Sequence, residues 1–99
     1  MRQIERDAIR AFQNDKGFKR SNTCVNMING KPHMYLHGNL IAKKDENGEL
    51  LIRHAGWETP TTMSRLNSLP GVRIRSHKGS FILNEMTYMN DDWYNIDKL

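Results

Sequence analysis

A chain of 99 residues with 37% hydrophobic content and a mean hydropathy of −0.74 has room for one domain with one modest core, and its periodic apolar runs exclude a disordered chain. The lone cysteine, Cys24, excludes an internal disulfide; no apolar run nears the ~20 residues of a membrane span and residues 1–7 lack a signal-peptide core, so a cytoplasmic protein with no membrane partner is expected. The net charge of +4 is unevenly spread, with 14 Lys/Arg against 7 Asp/Glu in residues 1–83 and one against four in 84–99, giving a basic body and an acidic tail suited to phosphate backbones or to association with a second copy.

Ile4, Ala8, Ile9 and Phe12 stand at helical spacing, and Gly17 follows a Lys16 suited to a helix C-terminus, which predicts an amphipathic helix over 2–14. Its narrow apolar stripe is that of a helix docked on a sheet. Phe18-Lys19-Arg20-Ser21-Asn22 reads as a basic linker. From Thr23 the period becomes two: Val25 and Met27 lead to Asn29-Gly30, and Met34 and Leu36 then face away from His33, Tyr35 and His37, which predicts a hairpin. Pro32 lacks an amide donor, which places that end of its strand at a sheet edge. His37-Gly38-Asn39 bends the chain into a second hairpin, residues 40–42 and 50–52, around Asn47-Gly48.

Thr59 as N-cap and Pro60 at the first helical position open a second helix, which runs through Met63 and Leu66 to Ser68. Leu69-Pro70-Gly71 ends it, and strands at 72–76 and 80–83 flank His77-Lys78-Gly79. Val72 and Ile74 point inward there, leaving Arg73, Arg75 and His77 on the opposite face. Residues 88–96, with Trp93, form a short closing strand. The expected fold is a single small α+β domain over 1–99: a helix and basic linker to residue 20, an antiparallel β meander with a short second helix and a C-terminal hairpin over 21–84, and an acidic tail over 85–99.

No catalytic arrangement is readable. His33 and His37 sit roughly 13 Å apart in extended chain, too far to share one metal ion. Ser64, Ser68, Ser76 and Ser80 lack a nucleophile elbow, Cys24 lies in an alternating strand, and Asp91 and Asp92 as neighbours point apart. No glycine-rich phosphate loop is present, so neither cofactor nor enzymatic activity is expected. The second helix carries Thr61, Thr62, Arg65 and Asn67 on its polar side but has no supporting helix upstream for groove binding, and Trp57 and Trp93 read as core or interface anchors. The strongest binding constellation is basic: Arg73, Arg75, His77 and Lys78, extended by Lys19, Arg20, Lys43 and Lys44, with Tyr35 as a stacking platform. This predicts a nucleic-acid partner. The rival partner is a host protein gripped by the tail through Asp91, Asp92 and Trp93, and a third role is that of a minor virion component.

Ser21-Asn22-Thr23, the run from Tyr35 through Leu36-His37-Gly38-Asn39 to Ala42, Gly56-Trp57 with Thr59, Thr61 and Thr62, Arg65-Leu66-Asn67, Gly71-Val72, Gly79 and Leu83-Asn84 form a pattern spanning 21–84. In it the chain resembles a group of short proteins encoded by tailed bacteriophages. It departs from that group at 86–93, where no glycine-rich turn precedes Trp93. The resemblance implies a viral protein working in the host cytoplasm. It implies no catalytic or binding residue.

Overall fold

Glu5 reaches back to the Arg2 amide at 3.1 Å and opens α1, Gln3–Gln13, whose Ala8, Ala11 and Phe12 are buried. The computed structural model describes residues 2–99. The segment expected as a basic linker is a strand, β1 (Phe18–Arg20), joined by a two-residue turn at Ser21-Asn22 to β2, Thr23–Ile28. Phe18 is the reason: it pairs with Val25 and packs on the core, which a solvated linker would not do. β3 (Lys31–Leu36), β4 (Asn39–Lys44) and β5 (Leu50–Ile52) continue the meander. The antiparallel sheet is closed by β9 (Tyr94–Asn95) in the order β1-β2-β3-β4-β5-β9.

Asn29-Gly30 and His37-Gly38 supply the paired positive φ angles, 53° and 75°, then 51° and 80°, that tight hairpin turns require. His37 therefore leaves the strand face it was expected to share with His33 and Tyr35. Pro32 is buried in the interior strand β3, not at an edge. Its missing amide is harmless there. Ile28↔Lys31 flanks the two-residue turn as the hydrogen-bonded pair, so Pro32 nitrogen points towards β4, whose pairing with β3 stops at His33↔Lys43. A bulge at Met34/Tyr35 leaves Ile41 unpaired between Ala42 and Leu40 and turns Ile41 into the core.

Thr59 caps α2, Pro60–Asn67, by accepting from the Thr62 amide. A second antiparallel sheet follows in the order β6 (Ile74–His77), β7 (Ser80–Leu83), β8 (Thr87–Tyr88). The strand expected from residue 72 begins only at Ile74, because its partner strand ends at Leu83: Asn84 turns away at φ 51° and takes the Arg73 amide on its side-chain oxygen at 2.9 Å. On the other side of β6 the Asn67 amide accepts from Ile74 N at 2.6 Å and donates to Ile74 O at 2.9 Å. The tail thus contributes strands to both sheets before the 3-10 turn Ile96–Lys98, where Asp97 accepts from the Leu50 amide at 2.8 Å.

One apolar cluster joins all the layers: Phe12 of α1, Val25, Met34, Ala42 and Ile52 of the first sheet, Leu66 of α2, and Ile74, Phe81 and Leu83 of the second. Both helices lie on the same face of the six-stranded sheet. Arg20 reaches Asp7 of α1 from that face, and Arg65 of α2 reaches Thr23. Arg65 is also the centre of a buried polar network, donating to Glu5 at 2.9 Å and to Asn22 at 3.3 Å, while Ser64 donates to the same Glu5 carboxylate. A helix position that looked solvated in sequence is thereby a buried ion pair tying α1, α2 and the β1–β2 turn together.

Candidate nucleic-acid interface

The alternation of the strands sorts the basic residues by face. With the helices on the inner side, the outward positions of the six-stranded sheet are Lys19, Cys24, Asn26, Ile28, Lys31, His33, Tyr35, Leu40, Lys43, Leu51 and Asn95, and the register aligns them in rows. One row runs Lys19, Cys24, Tyr35, Leu40, and the next runs Asn26, His33, Lys43, Leu51, Asn95. Arg53 continues the outward side of β5, its Nε donating to Leu40 O at 2.8 Å. Trp93 folds onto the same side from the tail, with Lys43 Nζ 4.5 Å and the Arg53 guanidinium carbon 4.7 Å from its ring. The six strands contain no carboxylate. Glu49, at one end of the sheet, is held by Lys98 at 3.6 Å.

Of the expected basic set, Lys19, Lys43 and Tyr35 therefore share this outer face. Arg20 and Lys44 do not. Arg20 turns to the helix side and donates to Asp7 at 2.6 Å; that hydrogen bond, with one from Gln3, holds the Asp7 carboxyl below its ordinary pKa. Lys44 lies 5.8 Å from the Phe12 ring, also on the helix side. Arg75 and His77 lie in β6 of the second sheet, Arg73 just before it and Lys78 in its turn to β7, and all four are exposed. Arg75 there is held by Glu85 at 2.9 Å, and the His77 ring meets Tyr88 edge-on at 6.4 Å. Arg73 and Lys78 make no ion pair among the described residues.

Trp93 is half-buried with its ring beside Lys43 and Arg53, while Asp91 and Asp92 are exposed. Trp57, expected in the core or an interface, is 56% exposed. Cys24 is partly exposed on the outer face, its thiol 3.3 Å from Asn26 Oδ1. His54 is buried edge-on to Phe81, with Nδ1 accepting from the Gly56 amide. Among the described residues no three His, Cys, Asp or Glu side chains gather to hold a metal ion, and no helix is long and apolar enough to cross a membrane.

A family model described as Kyanoviridae Gp96 protein matches residues 1–99. The chain belongs to that family. Membership in the Kyanoviridae Gp96 family makes it a tailed-phage protein, as the resemblance implied. No curated relative and no solved structure matches it. For this Gp96-family chain the segments that carried the resemblance, 35–42 and 56–62, meet in space around one cavity beside the N-terminus of α2.

Two outer-face contributors, Arg53 and Trp93, escaped sequence reasoning. The signal was present in Leu51-Ile52-Arg53 and Trp93-Tyr94-Asn95, where alternation puts the first and third residues on one side. What sequence could not show was that the tail strand pairs with β5.

Proposed function

We propose that this phage protein is a non-enzymatic accessory factor that binds single-stranded nucleic acid on the outer face of its six-stranded sheet. The observation that carries the reading is a helix-free sheet face bearing Lys19, His33, Lys43 and Arg53, two aromatic rings, Tyr35 and Trp93, and no carboxylate in its strands. Cations neutralise phosphates and release counterions, while aromatic faces accept unstacked bases of any sequence. Six strands spaced about 4.8 Å apart make a face broader than the ~12 Å major groove, which favours the single strand. Arg73 and Lys78, flanking β6, add positive potential that steers the approach.

The double charge reversal Lys19→Glu/Lys43→Glu is expected to weaken binding of a labelled oligonucleotide at least tenfold and to flatten its salt dependence. Arg73→Ala/Arg75→Ala should change affinity by less, since Arg75 is already neutralised by Glu85. The reverse ranking moves the site to the second sheet.

A host-protein inhibitor or adaptor is the second reading, favoured by Met86 and Tyr88, exposed by 85% and 61% on the second sheet's outer rim. Stoichiometric capture of one host protein that survives nuclease and is lost in Met86→Ser/Tyr88→Ser supports it.

A further inference from the structure

We infer that the cavity between the β3–β4 turn and the start of α2 is a binding pocket for a single nucleobase, a site separate from the sheet face and independent of it. The cavity measures about 340 Å³, at the small end of the roughly 300–1,000 Å³ typical of small-molecule sites. Leu36, Ile41 and Trp57 give it apolar walls, and it has no Asp, Glu, Lys or Arg in its lining. The two-residue turn at Ala55-Gly56, with φ of 55° and 80°, is closed by Trp57 N donating to His54 O at 2.9 Å, and it leaves the indole 56% exposed at the cavity wall. Burying such a ring against a flat partner recovers apolar area that the fold alone leaves in water.

Five of the eight lining residues have polar side chains, and three of these, His37, Asn39 and Thr61, are largely unspent. Thr59 and Thr62 satisfy each other at 3.1 Å. Among the described residues the His37 ring and the Thr61 hydroxyl make no intramolecular hydrogen bond, and Asn39 makes only a 3.5 Å contact to His37 O. A planar ligand with apolar faces and a donor–acceptor edge matches one stacking indole, one amide, one imidazole and one hydroxyl. A sugar, with a hydroxyl on nearly every carbon, would leave most of its polar groups facing Leu36 and Ile41. The absence of charge in the lining selects the base itself over its phosphate.

The base could be delivered free, as a nucleoside, or as an unpaired base of a strand, and the test separates them. In a Trp93→Phe background, where Trp57 is the sole tryptophan, each of four nucleosides and a short oligonucleotide are titrated while indole fluorescence is followed, with a neutral monosaccharide as control. Saturable quenching by at least one nucleoside or by the oligonucleotide, weakened about tenfold by Asn39→Ala, the equivalent of one hydrogen bond, supports the pocket. Equilibrium dialysis of the wild-type chain against the same nucleosides and oligonucleotide gives the answer should Trp93→Phe fail to fold. No saturable binding of any nucleoside or strand at Trp57, or a response to the monosaccharide instead, overturns it. Salt-dependent oligonucleotide binding without Trp57 quenching refutes this pocket and leaves the sheet face standing; nucleoside quenching together with no oligonucleotide binding by the wild-type chain does the opposite.

Discussion

Glu5 and Arg65 are each only 3% exposed at the side chain and carry opposite charges 2.9 Å apart. Burial opposes ionisation of Glu5, but the hydrogen bonds from Ser64, the Arg2 amide and Arg65, together with the Arg65 charge, outweigh it and hold the carboxyl below the ordinary glutamate range. Removing one partner strands the other: Glu5→Ala is expected to cost about 3–5 kcal/mol in denaturant unfolding, since the Arg65 guanidinium would be left buried without its anion. Because the folded carboxyl binds its proton less tightly than the unfolded one, the unfolded state takes up more protons as pH falls. The stabilisation is therefore full above the unfolded glutamate pKa and is lost as pH drops through the folded value. Wild type should lose more stability between pH 5 and pH 3 than Glu5→Gln does, and equal losses would show that folding does not lower the Glu5 pKa. A second residue carries a local cost: Lys78, at φ 52° in an exposed turn before Gly79, stands where asparagine is favoured. Lys78→Asn should raise stability by roughly 0.5–1 kcal/mol, read as an upward shift in the thermal midpoint.

At the scale of elements, Asn67 shows how a polar side chain can replace a strand. Both its amide groups bond to the buried Ile74 backbone, so Asn67→Ala leaves an N–H and a C=O unpaired and should cost about 1–3 kcal/mol, with hydrogen exchange at the Ile74 amide accelerated ahead of the rest of β6. In sequence Asn67 stood only on the polar side of its helix; its partner lies on the next sheet. The same division runs through the chain. Features governed by local chemistry were legible: the Asn29-Gly30 turn, the Thr59-Pro60 helix start, the alternation of β3, and the α+β class. Features set by contacts distant in sequence were not. β1 forms because Phe18 finds Val25 and the core; Pro32 sits inside a sheet because the ladder towards β4 ends before it; the tail divides between two sheets because Tyr88 pairs with Ile82 and Tyr94 with Ile52. The candidate site was half legible for that reason, with Lys19, Tyr35 and Lys43 on one face and Arg20 and Lys44 drawn to the other.

For the whole molecule, all helical mass and the second sheet gather on one side of the six-stranded sheet, and the opposite side carries cations and aromatic rings. Trp93 couples the acidic tail to that side: Lys43→Ala removes a cation at 4.5 Å and should loosen the indole, seen as a red shift of its emission in a Trp57→Phe background. An unchanged spectrum would show that Lys43 does not hold the ring. The exposed acids Asp91 and Asp92 adjoin this tryptophan in the chain, and under the proposed reading they would limit how far a bound strand extends past it.

The central claim is that the outer sheet face binds single-stranded nucleic acid through phosphate contacts. It is tested most directly by fluorescence-anisotropy titration of the wild-type protein with labelled single-stranded DNA, single-stranded RNA and duplex DNA at 50 and 200 mM salt. The account predicts micromolar or tighter binding to a single strand, weaker binding to duplex, and a fall of about tenfold or more over that salt range, as expected for the release of two or more counterions. Absence of single-strand binding at 50 mM salt, or binding that ignores salt, would contradict it.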